Sequence, residues 1–166
     1  MMAKELEIER RFLLKKLPHS MWYDQVCEIT QYYLPNDEDG YTVRIRKQTQ
    51  SKDTVFFLTK KKCVSPTVNE EIESEISREE FFRLKKDAVT EISKIRYKEV
   101  IEGLLWEIDV FVGLTLIIAE IELPSEDYAL EIPEIIADVT IMEVSGVRGF
   151  YNKDLSIPVL YFVHHW

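Results

Sequence analysis

Three carboxylates alternate with other residues near the start of the chain, at Glu5, Glu7 and Glu9. In a β-strand, side chains two residues apart point to the same face, so these carboxylates would stack on one side. Stacked carboxylates repel one another, and a divalent cation with oxygen ligands would turn that repulsion into attraction. A half-buried strand with a wet acidic face has the same pattern, so this stretch alone leaves both interpretations open.

Six predicted strands carry pairs of charged residues at a spacing of two. The pairs are Glu7/Glu9, Glu71/Glu73, Glu107/Asp109, Glu120/Glu122, Arg44/Arg46 and Lys94/Arg96. A solvated face of an open sheet usually mixes the two signs, whereas here the signs are sorted strand by strand. If mostly antiparallel strands close into a barrel, all these groups point into one lumen. An ordinary salt-bridged sheet is the alternative.

A lumen of this kind would hold many charges at reduced dielectric, where they are costly unless paired or bound. Arginine forks match phosphate oxygens, and lysine supplies a compact point charge. Carboxylates hold Mg²⁺ or Mn²⁺, which bridges phosphate oxygens. The combination therefore favours a ligand that is polyanionic and metal-bound, and single cations at Arg11 and Lys60 add to the set.

The composition is that of a folded domain. The 166 residues are 46% hydrophobic and 31% charged, which predicts one domain over 1–166 and neither a disordered nor a membrane protein. A net charge of −9 argues against general nucleic-acid binding. Cys27 and Cys63 lack metal-ligand spacing, so we expect reduced thiols and, without a signal-peptide pattern, a cytoplasmic location. The apolar C-terminal tail and the outer faces leave a homodimer open.

The hydrophobic and turn patterns predict a mainly β chain of class α+β. The expected strands are 4–14, 28–34, 41–47, 54–61, 69–76, 91–100, 104–112, 116–123 and 140–144. A capping box at Ser77 predicts a helix that ends near Lys86. Further expected pieces are a helix or turn at 19–23, a helix from Pro124 that breaks near Pro133, a helical piece at 150–155 and an apolar tail at 157–166.

The stretch Glu7-Ile8-Glu9-Arg10-Arg11-Phe12-Leu13 resembles the ExExK signature of the CYTH superfamily, the triphosphate tunnel metalloenzymes. The likeness continues to about Leu155, in the order typical of the family. The segments that carry it are 41–46, 58–60, 71–73, 94–97, 106–111, 119–122 and 151–153. This resemblance implies an antiparallel closed β-barrel, or tunnel, of about eight strands with a few flanking helices.

The resemblance also implies roles for individual residues, with Mg²⁺ or Mn²⁺ as cofactor. The metal ligands would be Glu7, Glu9 and Glu122, with Glu120 beside them. The phosphate-binding residues would be Arg11, Arg44, Arg46, Lys60, Lys94, Arg96 and Arg148. The catalytic set would be Arg11, Glu71, Glu73, Glu107 and Asp109, of which the acidic members position water or a second metal and hold the basic residues.

Two positions depart from the family pattern. Arg11 stands where the signature has lysine, and arginine stays protonated in proteins, so it can bind phosphate but is a poor general base. Glu71, Glu73 or water on the metal then becomes the better candidate base. The basic-Tyr pair that often precedes Asn152 is also missing, so Arg148 or Lys153 would take its place.

We therefore expect a metal-dependent hydrolase that removes the terminal phosphoryl group of a triphosphate by in-line attack of water. Inorganic triphosphate is the first choice, because the sequence shows no recognisable pocket for a base or a thiazole. One alternative is a class IV-type adenylyl cyclase that forms cyclic AMP from ATP. The other is a non-catalytic polyphosphate- or nucleotide-binding module, which the loss of the signature lysine favours.

Overall fold

The structure, a computed structural model, describes residues 4–18, 23 and 25–159. Eight antiparallel strands form a barrel in the order β6-β2-β3-β4-β5-β1-β8-β7, and pairing of β7 with β6 closes it. They are β1 (Glu5–Leu14), β2 (Gln25–Leu34), β3 (Thr42–Gln50), β4 (Asp53–Cys63), β5 (Val68–Ile76), β6 (Thr90–Ile101), β7 (Leu104–Phe111) and β8 (Ile117–Glu122). The closed, mainly β barrel expected from the sequence is thus confirmed.

The strand register sends polar residues inward and apolar residues outward. Arg44 of β3 lies opposite Thr59 of β4, which lies opposite Glu73 of β5, so the three side chains share the lumen face. The alternate residues face outward and pack beneath helix α1 (Arg78–Lys85). Because charges occupy the inside, the apolar core of this protein lies largely on the outside of the barrel.

Helix α1 covers one side of the barrel and begins as its capping box predicts. The Ser77 Oγ atom accepts a hydrogen bond of 3.1 Å from the backbone N–H of Glu80. Phe81, the buried residue of the helix, packs on Phe56 of β4 with ring centroids 4.7 Å apart.

A second apolar cluster joins β1, β7 and β8 to the segment that follows the barrel. Phe12 and Trp106 form its centre, and Ile136 of helix α2 (Glu134–Ala137) packs on them. The helix expected from Pro124 is wrong, because the chain is irregular there and the helix begins only after Pro133. Pro133 disfavours the helical conformation of the residue before it, so a helix could not run through to Pro133.

The lumen face is apolar at one end of the barrel. Tyr33, Ile92, Phe111 and Ile118 form a cluster there, and Phe150 with Leu155 packs against it from the C-terminal segment. That segment contains helix α3 (Asn152–Leu155), within the helical piece expected at 150–155. The charged part of the lumen is therefore capped at this end.

Short edge strands complete the sheet. They are β9 (Thr140–Glu143), which pairs with β1, and β10 (Ile157–Pro158), which pairs with β6. Most of the turn or helix expected at 19–23, and the tail from 160 onward, lie outside the described residues. Cys27 and Cys63 are free thiols, as expected. Within the described residues, none of the three helices has the length and apolar character needed to cross a membrane.

Candidate active site

Eleven of the twelve residues in the sign-sorted charged pairs, all except Asp109, line one cavity of about 210 Å³ inside the barrel, which we call the charged cavity. Of the residues predicted for the site, those that line it are Glu7, Glu9, Arg44, Arg46, Glu71, Glu73, Lys94, Arg96, Glu107, Glu120 and Glu122. Each strand contributes through its period of two, as the barrel hypothesis required. The convergence of anions and cations on a shared enclosed space is therefore confirmed.

One corner of the charged cavity is acidic and surrounds Lys61. The Lys61 ammonium contacts Glu7 Oε2 and lies 3.7 Å from Glu9 Oε1 and 3.8 Å from Glu71 Oε2. Burial, together with the neighbouring Glu120 and Glu7 charges, raises the pKa of Glu9 to about 6, although Lys61 acts to lower it. Burial likewise raises the pKa of Glu7 and of Glu71. One ammonium is thus insufficient compensation for these carboxylates.

The donors of this corner suit a hard cation. Glu122 lies directly opposite Glu9, and burial together with the Glu9 charge raises its pKa. The buried Oε2 atom of Glu71 accepts no hydrogen bond from the residues that the structure describes. Carboxylate oxygens are what Mg²⁺ and Mn²⁺ prefer, so the donor chemistry fits. In this conformation, however, no three acidic, histidine or cysteine side chains of the described residues converge as a metal site, and Lys61 lies among the carboxylates.

The opposite part of the cavity is internally paired around Asp109. Lys94 donates to Asp109 Oδ2 over 2.5 Å, and Arg96 donates to both carboxylate oxygens over 2.7 and 2.8 Å. Burial alone would raise the pKa of Asp109, but Arg96 and Lys94 outweigh it and lower that pKa. Burial and the adjacent Arg96 lower the pKa of Lys94 to about 8. Asp109 lies behind the two cations rather than on the cavity wall, so its contacts are those of a positioning residue.

The guanidinium groups of Arg44 and Arg46 form a less satisfied cationic wall. Arg46 donates to Glu73 over 3.2 Å, and its guanidinium carbon lies 4.7 Å from the centre of the Phe57 ring. The Nε atoms of both arginines are buried and donate to no acceptor among the described residues. A buried donor without an acceptor is costly, so this wall would gain from an anion in the cavity.

Arg11 does not line the charged cavity and instead fastens the C-terminal segment. Its Nη1 atom donates to the Phe150 carbonyl over 2.6 Å, and its Nε atom donates to Glu120 over 3.2 Å. Burial alone would raise the pKa of Glu120, but Arg11 and Arg96 outweigh it and hold that pKa far below its usual range. In this conformation Glu120 is therefore committed to two guanidinium groups rather than free for a cation.

Two predicted phosphate-binding residues lie elsewhere. Lys60 points out of the barrel and pairs with Asp37 over 3.1 Å, because the strand register gives the lumen face to Thr59 and Lys61. Arg148 is exposed and lines neither this cavity nor the neighbouring one. The sequence reasoning missed residues of the cavity wall: Gln31, Gln48, Lys61 and Lys98.

A second cavity of about 230 Å³ adjoins the first beneath the C-terminal segment, and we call it the tyrosine-lined cavity. Tyr33 and Tyr151 line it, and Glu9, Arg44 and Lys61 line both cavities. The ring of Tyr151 lies under the Arg11 guanidinium carbon at 5.8 Å. This space for an organic group had no recognisable signal in the sequence.

The fold and the site together define a class: a closed antiparallel barrel whose lumen can hold a polyanion together with a cation. Comparison with known families agrees. The chain belongs to the CYTH domain family, whose model matches residues 5–151.

Individual relatives support this assignment. A protein of Acetivibrio thermocellus named inorganic triphosphatase is 42% identical over 66 residues, which are 39% of this chain and 40% of that protein. The aligned part thus spans about two fifths of that relative's length. A crystal structure of the inorganic triphosphatase NE1496 is 30% identical with a TM-score of 0.61, over 92% of this chain and 97% of that one. PH1012 from Pyrococcus horikoshii OT3, at 20% identity and a TM-score of 0.58 over 93% and 96% of the two chains, shares the fold.

Proposed function

We propose that this protein hydrolyses the terminal phosphoanhydride bond of inorganic triphosphate in the charged cavity, with Mg²⁺ or Mn²⁺. One observation carries the proposal: the same enclosed space holds an under-compensated acidic corner and two arginines with unsatisfied Nε donors. A polyanion with a bound cation would compensate both at once. The similarity to proteins named inorganic triphosphatase supports the choice of substrate.

In this proposal, Glu7, Glu9 and Glu122 hold the metal. Glu120, which the sequence also suggested as a ligand, instead holds Arg11 and Arg96, with which it already pairs. When bound, the metal would neutralise charge on the phosphate oxygens.

Arg44, Arg46, Lys94 and Arg96 orient the triphosphate in the cavity. Their charges stabilise the negative charge that shifts toward the leaving diphosphate as the terminal phosphorus–oxygen bond breaks. Asp109 and Glu107 keep Lys94 and Arg96 in place through the ion pairs described above. Phosphate binding by Lys61 replaces the role first expected for Lys60.

Glu71 is the proposed general base for the attacking water. Arg11 stays protonated and is held by Glu120 and Phe150, so it is unsuited to take a proton. Glu73 already accepts hydrogen bonds from Thr59 and Arg46. Glu71 retains a buried oxygen without a hydrogen-bond donor among the described residues, and burial raises its pKa toward the range useful for proton transfer.

The test is a phosphate-release assay with tripolyphosphate, thiamine triphosphate, ATP and pyrophosphate, each with Mg²⁺ and with Mn²⁺. We expect the fastest release from tripolyphosphate and none in EDTA. Glu9→Gln should abolish turnover, because a neutral amide is a poor ligand for a hard cation, while Glu28→Gln on the exposed face serves as its control. Arg46→Ala should raise KM strongly. Arg10 pairs with Glu143 outside the cavity, so Arg10→Ala is the control and should leave KM unchanged. Full activity of Glu9→Gln or Arg46→Ala would refute the assignment.

ATP is a second candidate substrate, and the tyrosine-lined cavity is the observation that favours it. A triphosphate gripped by Arg44 and Lys61 could place an attached organic group between Tyr33 and Tyr151, since those cations line both cavities. Incubation with ATP and Mn²⁺ separates the two reactions. Orthophosphate indicates hydrolysis, whereas pyrophosphate with cyclic AMP indicates cyclisation. Tight binding of tripolyphosphate without any phosphate release would instead identify a binding module.

A further inference from the structure

We propose that Lys61 is a tethered counter-ion for the metal-binding carboxylates, and that its displacement couples metal binding to triphosphate binding. The inference rests on the proposed function, because it concerns the same acidic corner. It assigns to Lys61 a second position, away from the carboxylates, once a divalent cation is bound.

The placement of Lys61 carries the first step. Lys61 lies on β4 directly opposite Glu71 of β5, and its ammonium reaches across to Glu7 and Glu9 of β1. It therefore stands among three carboxylates from two strands, where a cation with oxygen ligands would also have to stand. Among the described residues these carboxylates do not converge as a metal site, and the compact ammonium of Lys61 lies between them.

Repulsion between cations carries the second step. A divalent ion and the Lys61 ammonium cannot share this mostly buried corner without strong mutual repulsion. The ion must therefore break the contacts of Lys61 with Glu7 and Glu9. The flexible side chain has space to move into, because Lys61 lines both the charged cavity and the tyrosine-lined cavity.

The third step concerns the displaced ammonium. After it leaves the carboxylates, Lys61 lies beside Arg44, which has an unsatisfied Nε donor and repels it. Triphosphate oxygens between them would satisfy both groups. Metal therefore prepares the cavity for triphosphate, and by linkage triphosphate must strengthen metal binding by the same factor. Each ligand alone binds more weakly than it does in the presence of the other.

The experiment measures Mn²⁺ binding by isothermal titration calorimetry in the absence of any phosphate. Lys61→Gln removes the competing charge, so its Kd for Mn²⁺ should be at least about fivefold lower than that of the wild-type protein. Lys60→Gln makes the same change one residue away, where the side chain faces outward toward Asp37, and should leave the Kd within about twofold. Lys98→Gln removes a cation of the same cavity that pairs with Glu107, and controls for the general field of the lumen.

The outcomes separate this inference from the proposed function. If wild type binds Mn²⁺ and Lys61→Gln binds it equally or more weakly, the counter-ion inference is wrong while the proposed function stands. If neither protein binds Mn²⁺ in the absence of phosphate, the counter-ion inference is wrong, and the phosphate-release assay alone decides the proposed function. If Lys61→Gln alone binds it, the counter-ion role is supported in its strongest form.

A second measurement follows the Lys61 side chain in the wild-type chain, and it needs a variant only to assign the signal. The lysines are ¹³C-methylated, and the Lys61 signal, assigned by its loss in Lys61→Arg, is followed during titration with Mg²⁺. Displacement predicts a shift of that signal while the Lys60 signal stays in place. An unmoved Lys61 signal at saturating Mg²⁺ would overturn the inference.

Discussion

Replacement of Asp109 by asparagine should destabilise the protein more than almost any other isosteric change in the lumen. The Asp109 carboxylate is fully buried and accepts hydrogen bonds from Lys94 at 2.5 Å and from Arg96 at 2.7 and 2.8 Å. An asparagine keeps the shape but removes the negative charge, and it turns one acceptor into a donor that faces two cations.

The size of the effect follows from what the two cations retain. Arg96 still reaches Glu107 at 2.9 Å and Glu120 at 3.2 Å. Lys94 keeps a hydrogen bond of 3.4 Å to the Asn152 side chain and the face of the Phe111 ring, but no carboxylate among the described residues. Removal of one partner from a buried ion pair typically costs about 3–5 kcal/mol. For a chain of this length, 1 kcal/mol corresponds to roughly 2–4 °C, so Tm should fall by about 6–20 °C.

Urea denaturation and thermal scans, both followed by circular dichroism in EDTA, measure the change in the free energy of unfolding and in Tm. Glu107→Gln is the matched control, because Arg96 keeps its ion pair with Asp109 and Glu107 is partly exposed. The free energy of unfolding of this variant should therefore fall by no more than about 1 kcal/mol. Saturating tripolyphosphate should stabilise Asp109→Asn more than wild type, since phosphate oxygens replace the missing partner of Lys94. Equal stability of the two variants would refute the ion-pair reasoning.

Three further changes test other parts of the structure. Lys94 has a pKa of about 8 in the folded protein, below its ordinary 10.5, so wild type loses stability as pH falls from about 10.5 through 8. Lys94→Met lacks this titration. Between pH 7.5 and 10.5, its free energy of unfolding in urea titrations should therefore fall by about 3 kcal/mol relative to that of wild type. Arg11→Lys loses the bond to the Phe150 carbonyl and should cost about 1–3 kcal/mol, measured by the same titration at pH 7.5. Gly146→Ala should lower Tm by several degrees in thermal scans, because φ is +69° and the new Cβ would lie 2.9 Å from the Pro66 Cα.

The spacing of charges was enough to predict most of the lumen face, whereas closure of the sheet into a barrel was expected from the resemblance to the CYTH superfamily. Glu7 and Glu9 alternate with apolar residues, and so do Arg44 and Arg46, so a period of two assigns each side chain to a face without knowledge of partner strands. The same rule failed at Lys60, because lysines at three consecutive positions give no period. There the face depends on which residue pairs with Arg44, and that is a property of the sheet.

Contacts between distant segments were beyond reach for a different reason. The replacement of lysine by Arg11 was visible in the sequence, but its partner, the Phe150 carbonyl, is a backbone atom 139 residues away. No spacing rule relates the two positions. The tyrosine-lined cavity has the same origin, since Tyr33 and Tyr151 meet only because the C-terminal segment folds back over the end of the barrel.

The lumen divides its charges between stability and function. Around Asp109 the cations and carboxylates neutralise one another, so this half supports the barrel without a ligand while it presents Lys94 and Arg96 to the cavity. The half that holds Lys61 and Arg44 carries carboxylates with raised pKa values and a guanidinium nitrogen without an acceptor among the described residues. Uncompensated charges destabilise a fold unless a ligand binds there. A cation alone would satisfy the carboxylates but displace Lys61, and an anion alone would satisfy the arginines but face the carboxylates. Only the two together compensate every charge of this half, which is the physical reason to expect a metal–triphosphate complex rather than either component as the ligand.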